Sequence, residues 1–535
     1  MTARLPSSIL DSAVALDQIN AQWDADIVRQ LTEYIGIPAK SPTFDSDWRQ
    51  HGYIDTVMRN AAAWVEAQKV EGLTLEVVRL EGRTPVLFFE IPASSGSSAR
   101  GRGERAPSSP AGAAGPASPD RRRSAPSGGI LRQAQDDRRE AGSVGATSTV
   151  LMYGHLDKQP EFTGWRSDLS PWQASYEDGK LYGRGGADDG YAVYASIAAV
   201  QALKAQKIAH PRIVGLIETC EESGSYDLLP YVNALKERLG DVALVVCLDS
   251  GAGNYDQLWL TTSLRGNAAG VLKVEVLTEG VHSGDASGLV PSSFRIMRQV
   301  LDRLEDSKTG RLLPASFHCA IPADRLAQAE ATAKILGDEI YKRFPWAHYD
   351  CDGASTFALP TTTDPVEALL NRTWRPTLSV TGAEGFPALK DAGNVLRPYS
   401  AFKLSLRLPP LVDAAAAVGE LKALLEDNAP YQAKVTLEGG GGATGWNAPG
   451  TQPWFEDALQ GASQAFFGAA CGTIGQGGTI PLMNMLSQGF PKAQMMVCGV
   501  LGPKSNAHGP NEFLHVPYAK KLTAAVAHVI ARVPG

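Results

Sequence analysis

Short apolar runs too hydrophobic for a sheet face open to water recur along this chain, and stretches with helical spacing separate them. The runs at 85–91 (PVLFFEI), 149–153 (TVLMY), 213–217 (IVGLI), 242–248 (VALVVCL) and 495–501 (MMVCGVL) are near-continuous apolar segments of strand length. Residues 192–203 and 226–239, lying between such runs, read as helices. Strands that bury both faces need helices on both sides. The alternation therefore predicts an α/β domain with a central, mostly parallel sheet flanked by helices.

At 535 residues the chain is too long for one ordinary core, so a second unit is expected. Near Arg265 the texture changes. Residues 271–277 (VLKVEVL) alternate like a half-exposed strand, helix-like 293–304 and 325–344 follow, and 401–408 is strand-like again. A smaller α+β domain at 264–410, inserted between 1–263 and 411–535 of the larger one, fits this order. The α/β texture resumes with helix-like 412–425, the apolar strand 495–501 and a closing helix over 518–533.

The segment 93–147 is dominated by Ser, Gly, Ala, Pro and Arg and cannot bury enough surface to order itself. We read it as a disordered insertion in the connection between neighbouring strands 85–91 and 149–153. Its arginines, Arg121 to Arg123 among them, are diluted by Asp120, Asp136, Asp137 and Glu140, with no aromatic residue interleaved. A solvated loop is thus expected, not a nucleic-acid surface. The formal charge of −7 gives no other reason to expect nucleic acid. No apolar run approaches the ~18–20 residues that cross a bilayer. Asp11 and Asp17 interrupt the N-terminal stretch before a signal-peptide core can form, so the cytoplasm is the expected location. The six cysteines are scattered, without a CxxC pair, and read as free thiols.

Polar residues stand just beyond the apolar runs, where α/β folds gather their sites. TVLMYGHLD ends in His155, and Asp157 two positions on can fix the imidazole tautomer, although a structural histidine is the commoner fate of His-x-Asp. LYGRGGADDG leaves Asp188 and Asp189 just before a helix. A phosphate cradle would put carboxylates against the phosphate, so cation ligands are the better use, with helix capping open for one of the pair. IETCEESGS puts Glu221 and Glu222 side by side. If they face one site they repel unless a cation compensates, one binding metal and the other serving as general base; in isolation such a pair more often opens a helix in solvent. Asp249 follows the run 242–248, and His508 lies in SNAHGPNE with Glu512 nearby. Two histidines with several carboxylates suit zinc, or manganese and cobalt, and could hold a pair of ions.

In this order the motifs resemble family twenty of the metallopeptidases, which includes carnosine dipeptidases, aminoacylase and glutamate carboxypeptidases. The likeness spans nearly all of the chain outside 93–147. It implies a zinc-exopeptidase-like catalytic domain, with 264–410 as lid and dimerisation domain of a homodimer, and a small peptide as substrate. It implies two divalent ions per subunit: one on His155, Asp188 and Asp249, the other on Asp188, Glu222 and His508. Glu221 would be the general base, Asp157 would orient His155, and the Asp188–Asp189 peptide would be cis. His282 in VHSGDASG resembles the histidine that reaches across the dimer to the reaction's oxyanion, with an ordinary loop histidine as the other reading. Arg407 in LSLRLPP and Thr479 in GGTIP resemble substrate-contacting residues, with a surface strand arginine an equal reading for Arg407. Asp249 and the SGS after Glu222 resemble the dipeptidase branch, whereas Gly190-Tyr191 departs from the Lys-Gly of its eukaryotic members. An N-acyl-amino-acid deacylase on the same site is the alternative activity, and a non-catalytic metal-bound binding protein a more distant one.

Overall fold

A computed structural model describes residues 9–94, 148–351 and 354–534. The expected insertion thus lies almost entirely outside the described residues. The central sheet has six strands in the spatial order Thr74–Val78, Val86–Ile91, Arg212–Glu218, Ser148–His155, Asp241–Cys247 and Gln494–Val497. The last four run parallel. The first two form an antiparallel hairpin that pairs antiparallel with Arg212–Glu218. The expectation that 85–91 and 149–153 are neighbours is corrected, because Arg212–Glu218 lies between them and hydrogen-bonds to both.

Helices cover both faces, which is why these strands could be apolar throughout. On one face Ala192–Ala205 is buried along almost its whole length. Its alanines let Val516–Ile530 and Ser12–Gln22 pack closely over it. The other face takes Leu228–Ala234 and Pro481–Gly489. The helix expected over 226–239 is in fact two, Leu228–Ala234 and Lys236–Leu239, broken at Leu235. Cys220, Cys247 and Cys498 are buried free thiols, and Cys319 and Cys471 are half-buried ones.

The smaller domain is built on an antiparallel sheet in the order Thr377–Glu384, Tyr399–Leu408, Gly266–Glu275, Lys434–Ala443. Helices Ser293–Leu301 and Ala414–Glu426 pack on it through Ile296, Val300, Ala417, Leu421 and Leu425. The limit at residue 410 is therefore corrected: helix 414–426 and strand 434–443 belong to this sheet, and the chain returns to the larger domain only after Ala443. A second correction concerns 325–344. That helix spans Ala323–Leu336, followed past Gly337 by a short turn, Glu339–Lys342. It packs not on the small domain's sheet but on a three-stranded one, Trp446–Asn447, Trp259–Leu264 and Gly472–Gln476. Thr332 donates to the Thr473 carbonyl there, and Arg325 donates to Asn447 and to the Ala448 carbonyl.

Candidate active site

Sheet register gathers the expected residues at one edge. His155 stands opposite Glu218 and Tyr153 opposite Cys247, so the turn Glu221–Ser223 and Asp249 leave their strands at the same level as His155. The loop beyond Gln494–Val497 brings His508 to the same edge. Asp188 comes from the Gly-rich turn before helix Ala192–Ala205, where Gly185 has φ 82°, which favours glycine. The Asp188–Asp189 peptide is cis. Neither aspartate caps the helix. Asp188 lines the cleft, while Asp189 is wholly buried with both carboxyl oxygens unbonded, its pKa driven well up by burial and by Asp249.

Two donor sets form around Asp188. In one, His155 Nε2 lies 3.5 Å from Asp188 Oδ1 and 3.8 Å from Asp249 Oδ2. In the other, His508 Nε2 lies 3.0 Å from Asp188 Oδ2 and 3.2 Å from Glu222 Oε2. Within each set the donor atoms lie within 4.8 Å of one another. His155 Nε2 is buried without a hydrogen-bond partner, an orphaned atom that a cation would satisfy. The electrostatics agree. Burial works to raise the Asp188 pKa, yet the imidazoles of His155 and His508 beside it hold it well below the carboxylate range. Asp249 is pushed up by burial and by Asp188 beside it, and Glu221 by burial and by Asp249. Carboxylates crowded like this cannot all ionise without compensating positive charge.

Asp157 behaves differently from expectation. His155 Nδ1 meets the Asp157 backbone carbonyl at 3.1 Å, while the carboxylate stands off at 3.6 Å. The carboxylate instead accepts the backbone N–H of Glu221 at 3.1 Å and of Glu222 at 2.9 Å. It anchors the acidic turn; the imidazole is oriented by main chain.

Sequence reasoning missed the strut between the Asp188 and His508 loops. Arg184 and Glu512 form a fully buried ion pair. Glu512 also accepts the Gly185 N–H at 2.9 Å, and Arg184 donates to the Gly509 carbonyl at 2.8 Å. This holds a loop in which Asn506, His508 and Asn511 all have positive φ. The signal was a charged residue of each sign beside a ligand motif. Gly190 also has a local reason: a Cβ there would lie 2.2 Å from the Tyr34 ring, whose hydroxyl donates to the Leu156 carbonyl.

A cleft of about 1010 Å³ opens over the site, lined by Asp188, Glu221, Glu222, Asp249 and His508 among others. Arg407 and Thr479 line the same cleft, joined by a 3.2 Å hydrogen bond from Arg407 Nη1, and Thr479 donates in turn to the Arg265 carbonyl at 2.6 Å. Arg407 is thus a cleft residue. His282 is not brought to its own chain's cleft. It lies exposed on the small domain, where Val281–His282 pairs with Val395–Leu396.

A parallel-sheet edge carrying two histidine–carboxylate donor sets that share one aspartate, with a further carboxylate beside them, defines a metal-dependent hydrolase. Comparison with known proteins narrows this class. Residues 151–532 match the profile of peptidase family M20/M25/M40, and the chain belongs to that family. It is 29% identical over 394 residues to the cysteinylglycine-S-conjugate dipeptidase of Corynebacterium striatum, covering 70% of this chain and 80% of that one. It is 28% identical over 377 residues to the human Beta-Ala-His dipeptidase, covering 67% and 69%. The crystal structure of human carnosine dipeptidase 1 superposes with a TM-score of 0.71 at 21% identity, covering 99% of this chain and all of that one, which bears out the α/β fold with its second domain.

Proposed function

We propose that the protein is a dinuclear metallodipeptidase, hydrolysing dipeptides or other short peptides. The observation that carries this is the pair of donor sets sharing Asp188, with Glu221 lining the same cleft but belonging to neither. The dipeptidase relatives support the substrate class. His155, Asp188 and Asp249 would hold one divalent ion, and Asp188, Glu222 and His508 the other. Zinc is the choice for this mix of N and O donors, with manganese or cobalt able to substitute. When bound, such ions supply an acidified water and polarise the scissile carbonyl.

The chain's own residues do the rest. Glu221, whose burial keeps its proton affinity high, takes the proton of the attacking water and returns it to the leaving amine. Arg407, steadied by Thr479, anchors the substrate carboxylate. A homodimer through the inserted domain brings His282 of the partner subunit to the carbonyl oxygen, in keeping with the exposure of this residue away from its own cleft. Free cysteines support a cytoplasmic location, and no described helix is long and apolar enough to cross a membrane.

Glu221→Gln tests the reading. The variant should retain two ions and lose at least about 100-fold in kcat, as removal of a general base does; full turnover would remove Glu221 from its role. A panel of Xaa-Xaa dipeptides against N-acetyl amino acids separates dipeptidase from deacylase.

A further inference from the structure

The cleft that holds the metal-ligand cluster carries more positive charge in its lining than one substrate carboxylate needs. Arg343 and Lys342 line the cleft together with Arg407 and Lys504. Arg265 and Arg372 are not in that lining, but Thr479, which is, donates to the Arg265 carbonyl, and Arg265 donates to the carbonyl of Asn371 next to Arg372. Lys342 pairs with Asp338. None of the four arginines 265, 343, 372 and 407 is in an ion pair among the described residues.

The four influence one another in series. Arg407 bears on Arg265, and both Arg265 and Arg343 bear on Arg372. Burial and this mutual repulsion pull Arg265 down to about 10 and Arg372 down to about 9. Among the described residues, no carboxylate contributes to either, nor to Arg343 or Arg407. Arg265 is satisfied by main-chain carbonyls of Gly477, Asn371 and Arg375 and by the Thr377 hydroxyl. Arg372 is not: its Nε is buried with no hydrogen-bond partner. Like charges gathered and partly desolvated without a counter-ion are costly, and removing that cost needs an anion. Arg407 takes one carboxylate. Arg343 is left in the cleft lining with no acidic partner of its own among the described residues.

We propose that Arg343, backed by Arg372, forms a second anion subsite in the cleft that selects peptides carrying an acidic side chain on the residue C-terminal to the scissile bond. This rests on the dipeptidase reading of the same site and deepens it. The α-carboxylate of such a substrate meets Arg407, and its side-chain carboxylate meets Arg343. A neutral side chain of the same shape leaves Arg343 unpaired.

The test compares Ala-Glu with its isostere Ala-Gln on the metal-loaded enzyme, in the wild type and in Arg343→Gln and Arg343→Lys. The wild type should favour Ala-Glu by about tenfold or more in kcat/KM, the usual gain of one charge-assisted hydrogen bond. Arg343→Gln should abolish that preference by raising KM for Ala-Glu alone, with Ala-Gln turnover unchanged. Arg343→Lys, keeping the charge, should restore part of it. Equal rates on both peptides in the wild type overturn the subsite, as does an Arg343→Gln variant that slows both alike. Hydrolysis of neither peptide, with N-acetyl amino acids cleaved instead, overturns the dipeptidase reading beneath it.

Discussion

Replacing Asp157 by Asn separates two accounts of the His-x-Asp motif. If the carboxylate works by holding His155, the substitution weakens the ion on His155, Asp188 and Asp249. The structure gives the opposite emphasis. The carboxylate oxygens are 3.1 and 2.9 Å from the Glu221 and Glu222 amides, while His155 Nδ1 is held by a backbone carbonyl that the substitution leaves in place. Asparagine can keep one acceptor but turns an NH2 toward the other amide. One charge-assisted bond is lost and one N–H is left facing a donor, about 3 kcal/mol in all. Spent on displacing the turn, this amounts to roughly 100-fold in kcat through Glu221. Glu222 moves with it, so metal titration should show the ion on Asp188, Glu222 and His508 weakened and the His155 ion retained. Calorimetric titration of the apoprotein with zinc, alongside kcat at saturating metal, reads both. Loss of the His155 ion first, or wild-type kcat with both ions tight, would refute the anchoring role.

The remaining expectations address the metal, the core and the acid limb of stability. Chelation should abolish hydrolysis and lower the unfolding temperature, because ions that bind only the folded state stabilise it; added zinc or manganese should restore both, and activity persisting after verified metal removal would contradict the site. Gly190→Ala should cost about 1–3 kcal/mol, since its Cβ would overlap the Tyr34 ring, measurable by urea unfolding; an unchanged midpoint would show that Tyr34 yields freely. His528 is buried with both ring nitrogens unbonded, and burial followed by Arg532 lowers its pKa to about 4. The unfolded chain therefore binds the proton first, so stability present above pH ~6.5 falls as pH drops toward 4, by at most about 3 kcal/mol. His528→Gln should flatten that part of the pH–stability curve relative to wild type; parallel curves would count against it.

What the sequence made legible follows from how each part is held together. The parallel strands announce themselves because both faces are buried, and Ser148–His155 has no exposed position at all. His155, Glu222 and Asp249 follow because each sits at or just past the end of such a run, while Asp188 and His508 are marked by their Gly-rich and Gly/Pro/Asn loops. The boundary of the small domain was not legible. Strand Lys434–Ala443 carries only Val435 and Leu437 into the core before a run of glycines, and it belongs to its sheet through backbone pairing with Gly266–Glu275. Apolar pattern is silent about backbone pairing. The bonding of Asp157 was hidden for a similar reason: its partners are two main-chain amides 64 and 65 residues away.

The arginine group is a harder case, because no local window contains it. Arg265 closes one strand, Arg343 follows a helical turn and Arg372 lies at the end of a helix, each reading alone as an ordinary surface cation, while Arg407, within a sheet strand, stands out only by its family resemblance. Only the fold brings Arg343 and Arg407 into the cleft that holds the carboxylates of the metal-ligand cluster. The cleft thus gathers charge of both signs, each in excess of what its own neighbours compensate. At the carboxylates the deficit is positive charge, which metal ions would supply. At the arginines the deficit is negative charge, and the substrate is what remains to supply it. A peptide with two carboxylates fills that deficit more completely than one with a single carboxylate, so the same physical reasoning that puts metal at the carboxylates puts acidic side chains at the arginines.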